Sequence, residues 1–159
     1  MIRFIVAIDS NNGIADEHGM PWQGKIPSDV AYYRGKIKNH TYIIGYGTYA
    51  ELKNPISDTN VLVATHKTAK LRPGYKQVTD PLEYTKNAKE DVWVGGGAIV
   101  FSQLFDLADE LYITQLEGDF HCSKFFPDFR TEFELMSSSK THTENGINFS
   151  FQTWKRKSL

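Results

Sequence analysis

The sequence predicts a single α/β domain spanning residues 1–159, with a sheet that is parallel at first and antiparallel toward its C-terminal end. Before Asp109, short apolar runs alternate with amphipathic segments, and strands that alternate with helices form parallel sheets. After Asp109 the apolar runs follow one another without room for helices, which favours antiparallel pairing. A chain of 159 residues without repeats or low-complexity linkers is long enough for one sizeable core.

The individual elements follow from periodicity and turn residues. Short runs, mostly β-branched and followed by turn residues, predict strands at 2–8, 41–44, 60–64 and 91–94. Amphipathic segments between them predict helices at 28–37, 48–52, 81–86 and 98–107, the last with a broad apolar face. The C-terminal strands are predicted at 111–116, 132–138 and 149–154.

Composition excludes several classes of function. Eighteen basic and nineteen acidic side chains nearly cancel, and no basic stripe is interleaved with aromatic residues, so we expect no nucleic-acid partner. Cys122 is the only cysteine, which leaves no intrachain disulfide. The apolar run at 2–8 is too short for a signal peptide or a membrane span. We therefore expect a cytoplasmic monomer with no membrane association.

A loop rich in glycine and proline leads from Gly13 to Asp29 at the start of a predicted helix. It brings Trp22 and then Asp29 beside the apolar strand 2–8. A carboxyl group held against apolar walls can store or transfer a proton. Taken alone, Asp29 is equally compatible with a first-turn residue that complements the helix dipole.

Two predicted strand-to-helix junctions carry glycine, at 45–47 and 95–97. Glycine lets the main chain approach a phosphate closely, and a helix start offers free N–H groups. The first junction is similar to a dinucleotide-binding fingerprint, but that motif expects an acidic residue about 20 positions later. Thr65, His66 and Lys67 stand there instead, which favours a ribose 2′-phosphate and hence NADP over NAD. Ordinary tight turns are the alternative explanation for either cluster.

Other catalytic chemistries lack their signatures. The histidines at 18, 40, 121 and 142 show no metal-ligand spacing with Cys122, so we expect no metal site. A Gly-x-Ser-x-Gly nucleophile motif is also absent from the sequence.

In order and spacing, the motifs of residues 2–155 resemble the bacterial dihydrofolate reductase family. They are Ala7, Gly13-Ile14, Met20-Pro21-Trp22, Pro27-Ser28-Asp29 with Tyr32-Tyr33-Arg34, Ile44-Gly45 with Thr48-Tyr49, Thr65-His66, Val94-Gly95-Gly96-Gly97, Leu111-Tyr112-Ile113-Thr114 and Phe125-Phe126-Pro127. The resemblance implies a three-layer fold. Its central, mostly parallel mixed sheet has eight strands, the last antiparallel, and is flanked by four helices.

The resemblance also implies a reaction, the NADPH-dependent reduction of 7,8-dihydrofolate to 5,6,7,8-tetrahydrofolate. A hydride goes to the pterin C6 and a proton, carried by a water, to N5. The catalytic residues would be Asp29, Thr114 and Trp22. Asp29 would hold the pterin, supported by Thr114, while Trp22 would belong to a mobile loop that closes the site. Burial raises the pKa of such a carboxyl and a helix start lowers it, so the sequence leaves the direction open.

The same resemblance implies two sets of binding residues. The substrate pocket would be lined by Ile5, Val30, Tyr33, Arg34, Leu52, Ile56 and Val94. NADPH would be bound by Ala7, Ile14, Met20, Gly45, Tyr46, Gly47, Thr48, Thr65, His66, Lys67, Gly95, Gly96, Gly97, Ala98 and Ile99.

Two departures from the family pattern concern charge. Asp58 stands where relatives place an arginine that binds the glutamate tail of folate, and losing a charged hydrogen bond costs about 1.5–3 kcal/mol. Tyr46 and Gly47 replace basic or polar residues near the 2′-phosphate, which softens the expected preference for NADPH. Two alternatives follow: a reductase of another pterin or pyrimidine without a glutamate tail, and a non-catalytic pterin- or nucleotide-binding module.

Overall fold

The computed structural model describes residues 1–66 and 70–158. In chain order, the elements are β1 (Ile2–Ile8), β2 (Gly13–Ala15), α1 (Pro27–Ile37), β3 (Thr41–Gly45), α2 (Tyr46–Glu51), β4 (Asn60–Ala64), β5 (Tyr75–Val78), α3 (Pro81–Asn87), β6 (Val92–Val94), α4 (Ala98–Leu104), a 3-10 turn (Phe105–Leu107), β7 (Glu110–Leu116), β8 (Lys124–Phe125), β9 (Phe133–Ser138), β10 (His142–Glu144) and β11 (Ile147–Arg156).

The main sheet has the strand order β10-β11-β7-β1-β6-β3-β4-β5, and β9 also pairs with β11. Because β10 pairs with residues 147–149 of β11 and β9 with residues 152–156, the two share one edge and the sheet is eight positions wide. Pairing is parallel from β7 to β5, while β11 is antiparallel to β7. The predicted mostly parallel sheet, its antiparallel last strand and the four helices are confirmed.

The two faces of the sheet carry different cores because side chains alternate along each strand. Phe4 and Val94 belong to the core that includes residues of α4. Ile5 and Ile44 belong to the cluster that includes residues of α1 and α2. The helices therefore lie on both faces of a sheet whose central strands β3 and β6 are wholly buried, as in other parallel sheets.

The predicted and observed bounds differ at several ends. Helix α1 begins one residue earlier than predicted, at Pro27, and α2 begins two residues earlier, at Tyr46. Helix α4 ends at Leu104, and the predicted remainder is the 3-10 turn. Strands β2, β5, β8 and β10 are not among the predicted elements, because runs of two to four residues are too short to show alternation. None of the described helices is long and apolar enough to cross a membrane.

Candidate active site

Asp29 and Thr114 form a direct pair where α1 begins against the sheet. Pro27 occupies the first position of α1, where its missing N–H costs nothing, and this places Asp29 in the first turn. Thr114 is buried in β7, opposite Ala7 of β1. Its Oγ1 donates a hydrogen bond of 2.6 Å to Oδ1 of Asp29. The structure thus joins two of the three residues predicted to be catalytic, although they are far apart in the chain.

The surroundings of Asp29 determine how readily it holds a proton. Burial raises the pKa of its carboxyl, and the negative charge of Glu144 raises it further. The Thr114 hydrogen bond opposes these effects because it favours the ionised form, but desolvation is the larger influence. The direction that the sequence left open is therefore upward, and Asp29 stays protonated to a higher pH than an exposed aspartate.

Glu144 at the end of β10 was not predicted, yet it closes the site from the C-terminal hairpin. Its carboxylate accepts hydrogen bonds from the Ser28 backbone N–H at 3.0 Å and from Ser28 Oγ at 2.6 Å. The side chain of Asn145 also donates to the carbonyl of Lys25 at 2.7 Å. The hairpin thereby holds the segment that leads into Asp29. Its sequence signal is Asn145-Gly146, both with positive φ, a favoured pair for a two-residue hairpin turn.

Trp22 lies inside the protein, with 1% of its surface exposed. Its ring packs edge-on against Phe120, with 5.3 Å between ring centroids. The indole Nε1 makes no hydrogen bond within the described residues. An enclosed N–H without a partner is costly, so this donor is suited to a water molecule or to a polar ligand atom. Met20, two residues earlier, is substantially exposed.

Asp9 anchors the first part of the same loop. Its fully buried carboxylate accepts backbone hydrogen bonds from Asn11 (2.9 Å), Gly13 (2.7 Å) and Phe120 (3.0 Å). A side chain at Gly13 would collide with Cys122, because an added Cβ would lie 2.5 Å from the cysteine Cβ. Strand β2 then pairs with β8, so this end of the loop is bound along its length to the segment that follows β7.

The two glycine junctions meet, because β3 and β6 are neighbours in the sheet. The Gly45 N–H donates to the carbonyl of Gly96 at 2.7 Å. An added Cβ at Gly45 would lie only 3.2 Å from Val100, whereas one at Gly47 would meet nothing within 4 Å. Ile99 at the start of α4 is 75% exposed. Main chain from both junctions therefore meets beside the exposed residues Gly47 and Ile99. We call this meeting place of residues 45–47 and 95–97 the glycine groove, and its arrangement fits the predicted dinucleotide.

The remaining residues of the predicted cofactor set take varied positions. Thr48 faces Gly97, whose added Cβ would lie 3.9 Å from the threonine Oγ1. Tyr46 packs against Tyr49, with ring centroids 5.5 Å apart. Among the others, Ile14 is buried, Ala7, Thr65 and Ala98 are half-buried and His66 is exposed. Lys67 lies outside the described residues.

The predicted substrate wall is assembled in part. Ile5, Tyr33, Leu52 and Ile56 belong to one cluster between the sheet and α1. Val30 is largely exposed on α1. Val94 is instead fully buried in the core on the opposite face. It pairs with Phe4, and because side chains alternate along a strand, the residue that shares the face of Ile5 is the next one. That position is Gly95.

A cavity of about 230 Å³ lies at the far end of α1. It is lined by Arg34, Gly35, Lys38, Ile56, Ser57 and Asp58. Two cations, Arg34 in the last turn of α1 and Lys38 directly after it, therefore share one small space with Asp58 from the loop before β4. A larger cavity of about 430 Å³ opens near the amino ends of β3, β4 and β6, away from Asp29. The chemistry predicted from the sequence lies at the carboxyl ends of the strands, where ligands of open α/β sheets bind.

Known proteins match this chain along nearly its whole length. The family model described as dihydrofolate reductase matches residues 1–156. Dihydrofolate reductase of Bacillus subtilis (strain 168) is 29% identical over 163 residues, covering 99% of this chain and 95% of the relative. Its counterpart in Staphylococcus aureus (strain MSSA476) is 29% identical over 153 residues, covering 94% of each. The structure of dihydrofolate reductase from Enterococcus faecalis, complexed with NADP(H) and RAB-propyl, has a TM-score of 0.84 at 23% identity and covers 99% of this chain and 97% of that one.

Proposed function

This chain belongs to the dihydrofolate reductase family, and from that premise we propose that the Asp29–Thr114 pair and the glycine groove form its active site. The protein is an NADPH-dependent oxidoreductase that converts 7,8-dihydrofolate to 5,6,7,8-tetrahydrofolate. When bound, NADPH supplies the hydride that is added to C6 of the pterin. The observation that carries the site assignment is the 2.6 Å bond from Thr114 to the buried carboxyl of Asp29.

Asp29 holds the pterin ring. Thr114 engages Oδ1, which leaves Oδ2 to accept hydrogen bonds from the pterin N3–H and 2-amino groups. Because an anchor on that edge lies across the ring from N5, a water molecule delivers the proton there. Ionised Asp29 accepts these hydrogen bonds from the pterin. Its raised pKa lets the same carboxyl also take up a proton at a pH where an exposed aspartate stays ionised, and this keeps a proton in the site.

The loop from Gly13 to Asp29 shields the reaction from bulk water. Trp22 is packed against Phe120 on the inner side of this loop. Its enclosed Nε1 makes no hydrogen bond within the described residues, and we assign this donor to a water molecule. Asp9 and Glu144 make hydrogen bonds that anchor the two ends of the loop. Excluding solvent strengthens the hydrogen bonds that Asp29 makes with the ring.

NADPH is held along the glycine groove. Backbone groups of Gly45, Gly95, Gly96 and Gly97 border its phosphates, and Thr48 lies beside them. The other contacts are assigned to Ala7, Ile14, Met20, Tyr46, Gly47, Thr65, His66, Ala98 and Ile99. We assign the exposed imidazole of His66 to the 2′-phosphate of NADPH.

The function is tested by following NADPH oxidation by the purified protein with and without dihydrofolate. We expect oxidation to require dihydrofolate, tetrahydrofolate to form in equal amount, and NADH to give a lower kcat/KM. Rises in Tm with NADPH and with folate in the absence of turnover would instead identify a non-catalytic binding module.

A second candidate function rests on Asp58, which lines the cavity at the end of α1. An acidic residue there repels the carboxylates of a glutamate tail, so a dihydropterin without a tail is the alternative substrate. A higher kcat/KM for 6-methyl-7,8-dihydropterin than for dihydrofolate would favour this alternative.

We further propose that the enzyme acts as a monomer in the cytoplasm. One chain contributes Asp29, Thr114 and both glycine junctions, which supports a site that is complete without a second subunit. Sedimentation velocity tests the monomeric state, and we expect a single species of about 18 kDa, the mass of one chain.

A further inference from the structure

Tyr42, the second residue of β3, occupies space that a side chain at position 95 would otherwise fill. A Cβ added to Gly95 would overlap the hydroxyl and the ring of Tyr42. Gly95 directly follows β6 and faces the cluster that contains Ile5. The tyrosine ring of one strand therefore extends over the end of the next strand, into the wall of the substrate pocket.

The neighbours of Tyr42 locate its hydroxyl along the pocket. The Tyr42 ring is stacked on Tyr33, with 6.5 Å between centroids and an angle of 27° between planes. Tyr33 lies one helical turn beyond Asp29 on the same face of α1. Its own hydroxyl accepts a hydrogen bond of 2.9 Å from Arg34 Nε. Tyr42 thus lies between Asp29, the proposed anchor of the pterin ring, and the cavity that Arg34 and Asp58 line.

The Tyr42 hydroxyl is available for a ligand. No described residue forms a hydrogen bond with it, although the side chain as a whole is buried. It is also not among the fully enclosed, unpartnered polar atoms, which in the described chain are those of Trp22, Thr85 and Trp93. Burial and the nearby Tyr33 raise the pKa of Tyr42, with Arg34 opposing, so the hydroxyl remains a neutral donor.

We propose that Tyr42 is a specificity-determining residue whose hydroxyl binds the substituent at C6 of the pterin, the aminobenzoyl amide of dihydrofolate. This inference rests on the proposed function. A phenol at this place distinguishes a substrate with a polar substituent from one with a methyl group. Asp29 binds the part that both substrates share, while Tyr42 binds the part in which they differ.

The Tyr42→Phe variant removes the hydroxyl and keeps the ring. We expect the KM for dihydrofolate to rise about three- to tenfold, the range of one lost hydrogen bond, with kcat within about twofold of the parent. The KM for 6-methyl-7,8-dihydropterin should stay at the parental value. An equal change for both substrates, or no change for either, would overturn the proposal.

Tyr75→Phe is the matched control. Tyr75 is buried in the same cluster, but its hydroxyl donates to the carbonyl of Asn54 at 3.1 Å, away from Asp29. This variant should lower Tm and leave both KM values unchanged. Equilibrium binding of dihydrofolate, followed by tryptophan fluorescence, separates the two hypotheses. If the parent binds dihydrofolate without turnover, the proposed function fails while a selective loss of binding in Tyr42→Phe still supports the Tyr42 contact.

Discussion

At the scale of single residues, the chemistry proposed for Asp29 depends on how burial and two neighbouring residues set its proton affinity. Burial raises its pKa, Glu144 adds to the rise and Thr114 opposes it. Glu144 approaches through Ser28, its hydrogen-bond partner 116 positions away in the chain. The sequence predicted Asp29 and Thr114 because both belong to motifs, but the contribution of Glu144 required the fold.

Substituting Thr114 and substituting Glu144, one at a time, should move the pKa of Asp29 in opposite directions. Thr114→Val deletes the bond that favours the ionised form, so the pKa should rise further. Glu144→Gln deletes a negative charge while keeping the shape, so the pKa should fall. Since the reaction consumes a proton, the fall of kcat/KM with rising pH should move to higher pH in the first variant and to lower pH in the second. Shifts in the same direction would contradict this assignment.

Tyr42 and Gly95 illustrate what the sequence did not reveal at this scale. Both appear ordinary in the chain, a strand tyrosine and a junction glycine. Their relation arises only because β3 and β6 pair, with Tyr42 opposite Trp93 and Gly95 two residues further on. The same alternation explains why Val94, which the resemblance to the family placed in the pocket wall, lies in the core of the other face.

At the scale of elements, the proposed substrate site extends along the whole of α1. Asp29 lies in its first turn, Tyr33 in its middle, and Arg34 and Lys38 border the cavity at its far end. Asp58 faces these cations from the loop before β4 and has a φ of 53°. No ion pair within 4.0 Å joins Asp58 to either cation in the described chain, so its charge acts on whatever enters the cavity.

The Asp58→Asn variant removes that charge and suits the backbone, because asparagine tolerates positive φ. The KM for dihydrofolate should fall about two- to fivefold at low salt and by less at high salt, as expected for a screened repulsion. Steady-state kinetics with dihydrofolate and with 6-methyl-7,8-dihydropterin provide the measurement. Glu134→Gln on the exposed strand β9 makes the same change in net charge and should alter neither KM. A similar fall for the tail-free substrate would contradict the effect assigned to Asp58.

The strands that the sequence predicted and those that it did not predict differ in length and in the contacts that hold them in place. Strands β1 and β4 agree with their predicted bounds because runs of seven and five residues carry enough apolar side chains to be recognised. The pair β2 and β8 consists of three and two residues that are ordered by each other and by Asp9. Such long-range pairing leaves no local pattern in the sequence.

At the scale of the whole molecule, the strand order converts separate motifs into one site. Strand β1 lies between β6 and β7, so its end meets both the glycines after β6 and Thr114 in β7. Strand β3 lies on the other side of β6 and brings Gly45 against Gly96. The parallel class was predictable from alternating strands and helices, whereas the order of the strands was not predicted and is known from the structure. The hairpin of β10 and β11 then reaches back across the sheet edge to hold the loop that carries Trp22.

The most direct test of Asp29 as the pterin anchor and proton holder is the rate of hydride transfer in a single turnover, measured across pH for the parent and for Asp29→Asn. The amide keeps the size of the carboxyl but can neither ionise nor hold the transferable proton. We predict a parental rate that declines as pH rises through the raised pKa of Asp29, and a variant rate slower by about 10²- to 10⁴-fold with no such decline. An Asp29→Asn variant that transfers hydride at the parental rate with the parental pH dependence would contradict this assignment.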